Sequence, residues 1–239
     1  MPEPTALWTK ACALAGALLL GACQHVPPQT AAPPQTPHWA STWQPFELPG
    51  KPSTHYAAQR ADGRWVVHAQ AQRSASMYRR SVRIEPEQLG NVAFSWKVRA
   101  LNADADVRDV DTEDAVVRVL LAFDGDRSRL SPRNRMMFDL MQGLTGEPPP
   151  YATLMYVWDP QAEPDAVVLN PRTDRIRKIV LESGTQHLGQ WREYRRDIRE
   201  DFRRAFGEDP GALIGVALMT DADNTQGRAE AWYGEVRFD

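Results

Sequence analysis

Val92-Ala93-Phe94-Ser95-Trp96-Lys97-Val98 alternates large apolar side chains with small or polar ones. Successive side chains of an extended chain point to opposite faces, so Val92, Phe94, Trp96 and Val98 share one face and Ala93, Ser95 and Lys97 the other. A helix would scatter the four apolar residues around its axis, so this stretch reads as a strand with one face in a core. Trp65 to Ala71 repeats the pattern, with Trp65, Val67, Ala69 and Ala71 set against Val66, His68 and Gln70. Further strands are expected at Ala75 to Ile84, Ala115 to Phe123, Ala152 to Trp158, Val167 to Asn170, Arg175 to Glu182, Ala212 to Thr220 and Arg228 to Phe238.

Two segments break this period. In Arg192 to Phe206 the residues Tyr194, Ile198, Phe202 and Phe206 recur every fourth position, Arg196 with Glu200 and Glu200 with Arg204 offer i,i+4 ion pairs, and Gly207 supplies a stop. Pro132 to Leu144 reads as a second helix, with Met136, Met137, Leu140 and Met141 on its inner side. Strands without helical crossovers predict an all-β fold, an antiparallel two-sheet β-sandwich of jelly-roll type with one or two inserted helices.

The chain has 239 residues, 42% hydrophobic and 25% charged, enough to bury a core. Its net charge of −3 provides no basic field for phosphates, so nucleic acid is not expected as a partner. The first 22 residues read as a secretory leader: Lys10 precedes the apolar run Ala11 to Leu20, too short to span a bilayer. The run ends in Leu20-Gly21-Ala22-Cys23, which resembles the lipobox of bacterial lipoproteins and implies a lipid on Cys23 and a membrane anchor at the mature N-terminus. Gln24 after the cysteine implies, by the same resemblance, an outer-membrane lipoprotein facing the periplasm. The only cysteines are Cys12 and Cys23, so the folded part has no disulfide or thiolate metal site. Gln24 to Pro37 carries five prolines and no charge, a polyproline tether reaching about 40 Å. The expected organisation is a leader over 1–22, the lipidated cysteine and tether over 23–38, and the β-sandwich over 39–239.

Several strings together resemble domain-of-unknown-function family 3047, a family of exported bacterial proteins. They are Phe46-x-Leu48-Pro49-Gly50-Lys51, Ser74-Ala75-Ser76, Glu113-Asp114 leading into Arg118-Val119, Phe123-Asp124-Gly125 and Pro150-Tyr151-Ala152-Thr153-Leu154. Tyr156-Val157-Trp158, Ser183-Gly184, Gly189-x-Trp191, Arg196-Asp197 and Met219-Thr220-Asp221-Ala222-Asp223-Asn224-Thr225 complete the set. The resemblance implies export and a β-sandwich module; it implies no reaction and no site residues. The strand order is also similar to jelly-roll modules that bind carbohydrate, an analogy of fold alone.

Candidate functional residues follow from chemistry. Tyr156 and Trp158 share a strand face, as do Glu230 and Trp232, which makes the aromatic rings candidate sugar stackers with Glu230 beside them. Arg118 lies in a strand apolar on both faces and needs a partner: a ligand carboxylate or sugar hydroxyl, or an acid such as Glu113, Asp114 or Glu182. The acidic run Asp104, Asp106, Asp109, Asp111, Glu113 and Asp114, followed by Asp124 and Asp126, reads first as a solvated loop and second as a source of calcium-ligating oxygens. Asp221-x-Asp223-Asn224 begins like a calcium loop, but Gln226 stands at the glycine position and Trp232 at the bidentate acid of a helix-loop-helix site. Calcium held by Asp221 or Asp223 at a sandwich edge is therefore the metal expectation. No G-x-S-x-G elbow occurs, and His55, His68 and His187 lack zinc-ligand spacing. The sequence thus predicts a non-catalytic glycan or envelope-ligand binder. The alternatives are a glycan-cleaving enzyme using two carboxylates, Glu182 and Glu230, and an envelope scaffold with a protein partner.

Overall fold

The structure, a computed structural model, describes residues 35–239; the leader, Cys23 and the tether through Pro34 lie outside the described residues. Among the described residues thirteen strands form two packed sheets. They are β1 Gln44–Glu47, β2 His55–Ala61, β3 Arg64–Gln72, β4 Ala75–Ile84, β5 Asn91–Val98, β6 Arg118–Phe123 and β7 Ala152–Asp159. After these come β8 Val167–Leu169, β9 Ile176–Ser183, β10 Trp191–Asp197, β11 Leu213–Asp221, β12 Arg228–Tyr233 and β13 Arg237–Phe238. The seven-stranded sheet has the order β1-β4-β11-β6-β7-β9-β8, and the six-stranded sheet the order β10-β5-β12-β3-β2, with β13 also on β5. Three helices, α1 His38–Ser41, α2 Pro132–Thr145 and α3 Ile198–Phe206, join them. The fold is the expected β-sandwich, antiparallel except where β7 pairs β9 in parallel.

The alternation that marked β5 places Val92, Phe94, Trp96 and Val98 in the core between the sheets, against Val119, Leu121, Phe123, Leu154 and Leu218 of the other sheet. The seven-stranded sheet is apolar on its outer face as well. There Leu120, Met155, Val157, Val180 and Ala217 pack with Val107 and Ala115 of the segment between β5 and β6, which roofs this face.

Several sequence expectations change. Residues 191–197 form an edge strand, paired Trp191↔Lys97 through Asp197↔Asn91, and only Ile198–Phe206 is helical. The four-residue spacing of Tyr194 and Ile198 imitates a helix, but pairing with β5 satisfies the backbone and puts Tyr194 on Phe94 and Trp96. Asp197 then caps α3 by accepting the Glu200 N–H at 2.9 Å. The arginines of this region pair with Asp201, not Glu200: Arg196 at 2.6 Å and Arg204 at 3.5 Å. Helix α2 is rotated from the expected orientation: Asn134 and Phe138 are buried, Met137 and Met141 half-buried beside them, and Met136, Leu140 and Leu144 exposed. The strand expected at Ala115 begins at Arg118, and the last strand is split between Tyr233 and Arg237. Short β1 and β2 were not read as strands because their sequences carry few alternating apolar residues.

Candidate functional site

Two polar constellations stand out, one on the outer face of each sheet. On the six-stranded sheet the register aligns Trp191, Lys97, Trp232, His68 and Ala57 in one row across β10, β5, β12, β3 and β2. Paired residues point to the same side, and the inner side is occupied by Trp96, Ala69 and Ala231, so this row faces outward. His68 and Trp232 stack with ring centroids 5.0 Å apart. The Lys97 amine lies 4.9 Å from the Trp232 ring and 5.5 Å from that of Trp191. The row thus alternates aromatic rings and a cation. Beside it, Glu230 meets His68 Nε2 at 2.9 Å and Arg99 at 3.6 Å.

This face is curved. The tip of the β2–β3 hairpin reaches β10 although β12 and β5 intervene: Trp191 Nε1 donates to Asp62 at 2.8 Å, Lys97 pairs with Asp62, and the Arg64 guanidinium covers the Trp191 ring at 4.3 Å. Flat strands would set β3 and β10 about 14 Å apart at 4.8 Å per step, so side-chain contact between them requires a concave sheet. An open groove of about 640 Å³ continues along the face, lined by Trp39, Arg64, Trp65, Ser95, Glu193 and Arg237.

The second constellation lies under the β5–β6 segment, on the outer face of the seven-stranded sheet. Arg118 is 2% exposed, pairs with Asp221 and donates to the Glu113 carbonyl at 3.0 Å. Lys178, also buried, pairs with Glu113 at 2.6 Å. Asp114 accepts from the Thr225 N–H at 2.7 Å and the Asn224 N–H at 3.2 Å, and Asp223 pairs with Lys51. Burial, together with the neighbouring Asp114 and Asp223 carboxylates, pushes Asp221 up to about 7 despite Arg118. Burial likewise lowers Lys178 against the pull of Glu113. Lys51, Glu113, Asp114, Arg118, Asp221, Asp223, Asn224 and Thr225, all members of the strings quoted above, converge here.

The candidate residues separate accordingly. Arg118 is spent on Asp221, a partner outside the acids expected for it, and has no surface left for a ligand. Tyr156 and Trp158 are fully buried in the core, so neither ring can stack on a sugar. The Tyr156 hydroxyl donates to Asp201 at 2.9 Å and Trp158 Nε1 to the Gly184 carbonyl at 3.0 Å. Their strand has both faces covered, which leaves no polar register for them to occupy. Trp232 does lie on the outer face with Glu230, but at 8% exposure and with His68 and Lys97 against its ring it presents an edge. Asp221 and Asp223 are brought together with Asp114, which the sequence placed in a solvated loop.

Glu182 and Glu230 do not share a cleft. One extra residue, Leu181, separates the pairs Val157↔Val180 and Trp158↔Glu182, and this bulge turns Glu182 to the inner side with Trp158. There it accepts from His187 at 2.6 Å, Arg192 at 2.9 Å and Tyr194 at 2.9 Å. Burial alone would raise the Glu182 carboxyl, but these bonds outweigh it and hold it below the usual carboxylate range. Glu230 faces outward on the other sheet, so no glycosidic bond fits between the two. Sequence reasoning missed Trp191, Lys97 and His68 as one row; the alternation Trp191, Glu193, Arg195, Asp197 was the available signal.

A family model described as protein of unknown function, DUF3047, matches residues 41–237. No curated protein matches the chain. Among solved structures the chain is similar to the family 11 carbohydrate-binding module of the cellulosomal cellulase Lic26A-Cel5E of Clostridium thermocellum, with 8% identity, 82% of this chain and 86% of that one covered, and TM-score 0.39. It is also similar to the xyloglucanase domain of NopAA, a type three effector from Sinorhizobium fredii, in complex with cellobiose, with 7% identity, coverage of 82% and 92%, and TM-score 0.42. A third is a cellulase derived from Cel12A of Rhodothermus marinus, with 9% identity, coverage of 83% and 96%, and TM-score 0.42.

Proposed function

Since the chain belongs to the DUF3047 family of proteins of unknown function, whose name assigns no ligand, we propose one from the geometry: the concave outer face of the six-stranded sheet binds a carbohydrate chain without cleaving it. The observation that carries this reading is the cross-strand row Trp191, Lys97, Trp232 and His68 beside an open groove. A sugar presents apolar C–H faces and a rim of hydroxyls, and it is held by aromatic surface with polar groups at fixed positions around it. Trp191 supplies the surface; Lys97, Arg99, Glu230 and His68 supply donors and acceptors. Arg64 must move off the Trp191 ring to admit a sugar, and an exposed contact of this kind is worth only about 0.5–1 kcal/mol. The lipobox-like string ending at Cys23 and the proline-rich stretch after it support reading the module as an outer-membrane lipoprotein facing the periplasm, and on that reading an envelope or imported glycan is the ligand class.

The test is a screen of the purified protein against envelope and plant glycans by thermal shift, followed by calorimetry with Trp191→Ala. A bound glycan raises the melting temperature. Loss of an aromatic platform worth about 1–1.5 kcal/mol weakens binding about five- to twelvefold. Binding that Trp191→Ala leaves unchanged refutes this face as the site. A flat screen of folded protein, with crosslinking to one stoichiometric partner, replaces the glycan by a protein.

A further inference from the structure

We infer that Asp114, Asp221 and Asp223 together hold a divalent cation of the calcium class, a site independent of the glycan reading. Each contributes a carboxylate oxygen, and the three oxygens lie within 4.8 Å of one another. All three residues are almost fully buried, at 3%, 4% and 8% exposure. They come from two distant segments, the roof between β5 and β6 and the end of β11 with the turn after it.

Assigning donors to each oxygen separates this cluster from an ordinary ion-pair network. Arg118 occupies Oδ2 of Asp221 and Lys51 Oδ2 of Asp223, while Thr225 binds Oδ2 of Asp114 through both its N–H and its hydroxyl. The other oxygens are left over. Oδ1 of Asp221 is buried with no hydrogen-bond donor at all, which a fold avoids because an unsatisfied buried acceptor costs free energy. Oδ1 of Asp114 has only the Asn224 N–H at 3.2 Å. Charge points the same way. Glu113, Asp114, Asp221 and Asp223 face Lys51, Arg118 and Lys178, leaving one buried negative charge in excess. The donor set is all oxygen, with no imidazole or thiolate in the cluster. That selects a hard cation, and an irregular set completed by waters or carbonyls suits calcium better than magnesium, which demands near-octahedral geometry. Bound there, the ion fastens the roof over the seven-stranded sheet to the β11–β12 turn.

The experiment uses the full chain, purified through chelator and then titrated with calcium chloride. Calcium at a hundredfold excess over its Kd raises the melting temperature by roughly 5–11 °C, and magnesium at the same concentration does not. Asp221→Asn removes the response; should that variant fail to fold, Asp223→Asn gives the same readout. Terbium luminescence excited through the aromatic residues, and displaced by calcium, reports occupancy without reference to stability. The inference is overturned if millimolar calcium changes neither melting nor terbium emission, or if the Asn variants respond as the wild type does. An unresponsive protein that gains stability as pH falls would mean that a proton on Asp221 neutralises the excess charge.

Discussion

Arg118→Met should cost this protein a large part of its stability, and the size of the loss follows from what surrounds the guanidinium. Arg118 is almost completely buried, pairs with Asp221 and donates to the Glu113 carbonyl. Methionine fills most of the volume but leaves Asp221 as a buried carboxylate beside Asp114 and Asp223 with no cation against it. Breaking a buried pair from one side costs about 3–5 kcal/mol. For a folded part of this size each kcal/mol lowers the melting temperature by about 2–4 °C, so a fall of roughly 6–20 °C is expected. The measurement is thermal and urea unfolding in chelator, so that no cation takes the place of the guanidinium. Replacing both partners, Arg118→Met with Asp221→Leu, should recover most of the loss, because an apolar pair carries no uncompensated charge. Acid should help the single variant. A carboxyl whose folded pKa is raised binds protons more readily folded than unfolded, and without Arg118 the Asp221 carboxyl lies above its wild-type value of about 7, so its contribution to stability grows as pH falls through that raised value toward the unfolded one near 4. A single variant that loses less than about 1 kcal/mol, or a double variant no more stable than the single, would refute the pairing.

Two further substitutions test the frame. Glu182→Gln removes an acceptor bonded to His187, Arg192 and Tyr194 and should cost about 1.5–3 kcal/mol at neutral pH. Because the Glu182 carboxyl is held low, its contribution is present above the unfolded value near 4.3 and lost as pH falls through the folded one. The variant's acid unfolding curve should therefore be flatter than the wild type's in that window, and superimposable curves would reject the clamp. Gly211→Ala places a Cβ 2.1 Å from the Asp124 carbonyl oxygen. Backbone must move to admit it, and a loss of about 1–3 kcal/mol in urea unfolding is expected.

Most of the sandwich was legible because its signal is local. Val92 to Val98 and Trp65 to Ala71 alternate with a period of two; the structure buries Val92, Phe94, Trp96 and Val98 of the first and Val67, Ala69 and Ala71 of the second, where Trp65 is half-buried and Val66 of the other register is buried as well. Residues 191–197 were misread because charge and four-residue spacing suit an exposed helix as well as an edge strand, and the choice was made by a partner strand about a hundred positions away. Helix α2 shows the same limit: its spacing was right, and which side met the core depended on packing that its own sequence does not encode.

The candidate site divides along the same line. The sequence by itself determined the strand-rich core and the residue types able to bind a sugar or a cation, because these depend on composition and short-range periodicity. Only the tertiary structure decided that Arg118 meets Asp221, 103 positions away, and that Asp114 joins Asp221 and Asp223. It also decided that Tyr156 and Trp158 are core while Trp191 faces outward with Trp232. A charge or a ring face acquires its role from the groups brought against it, and in a sandwich those groups come from strands whose order in space is unrelated to their order in the chain.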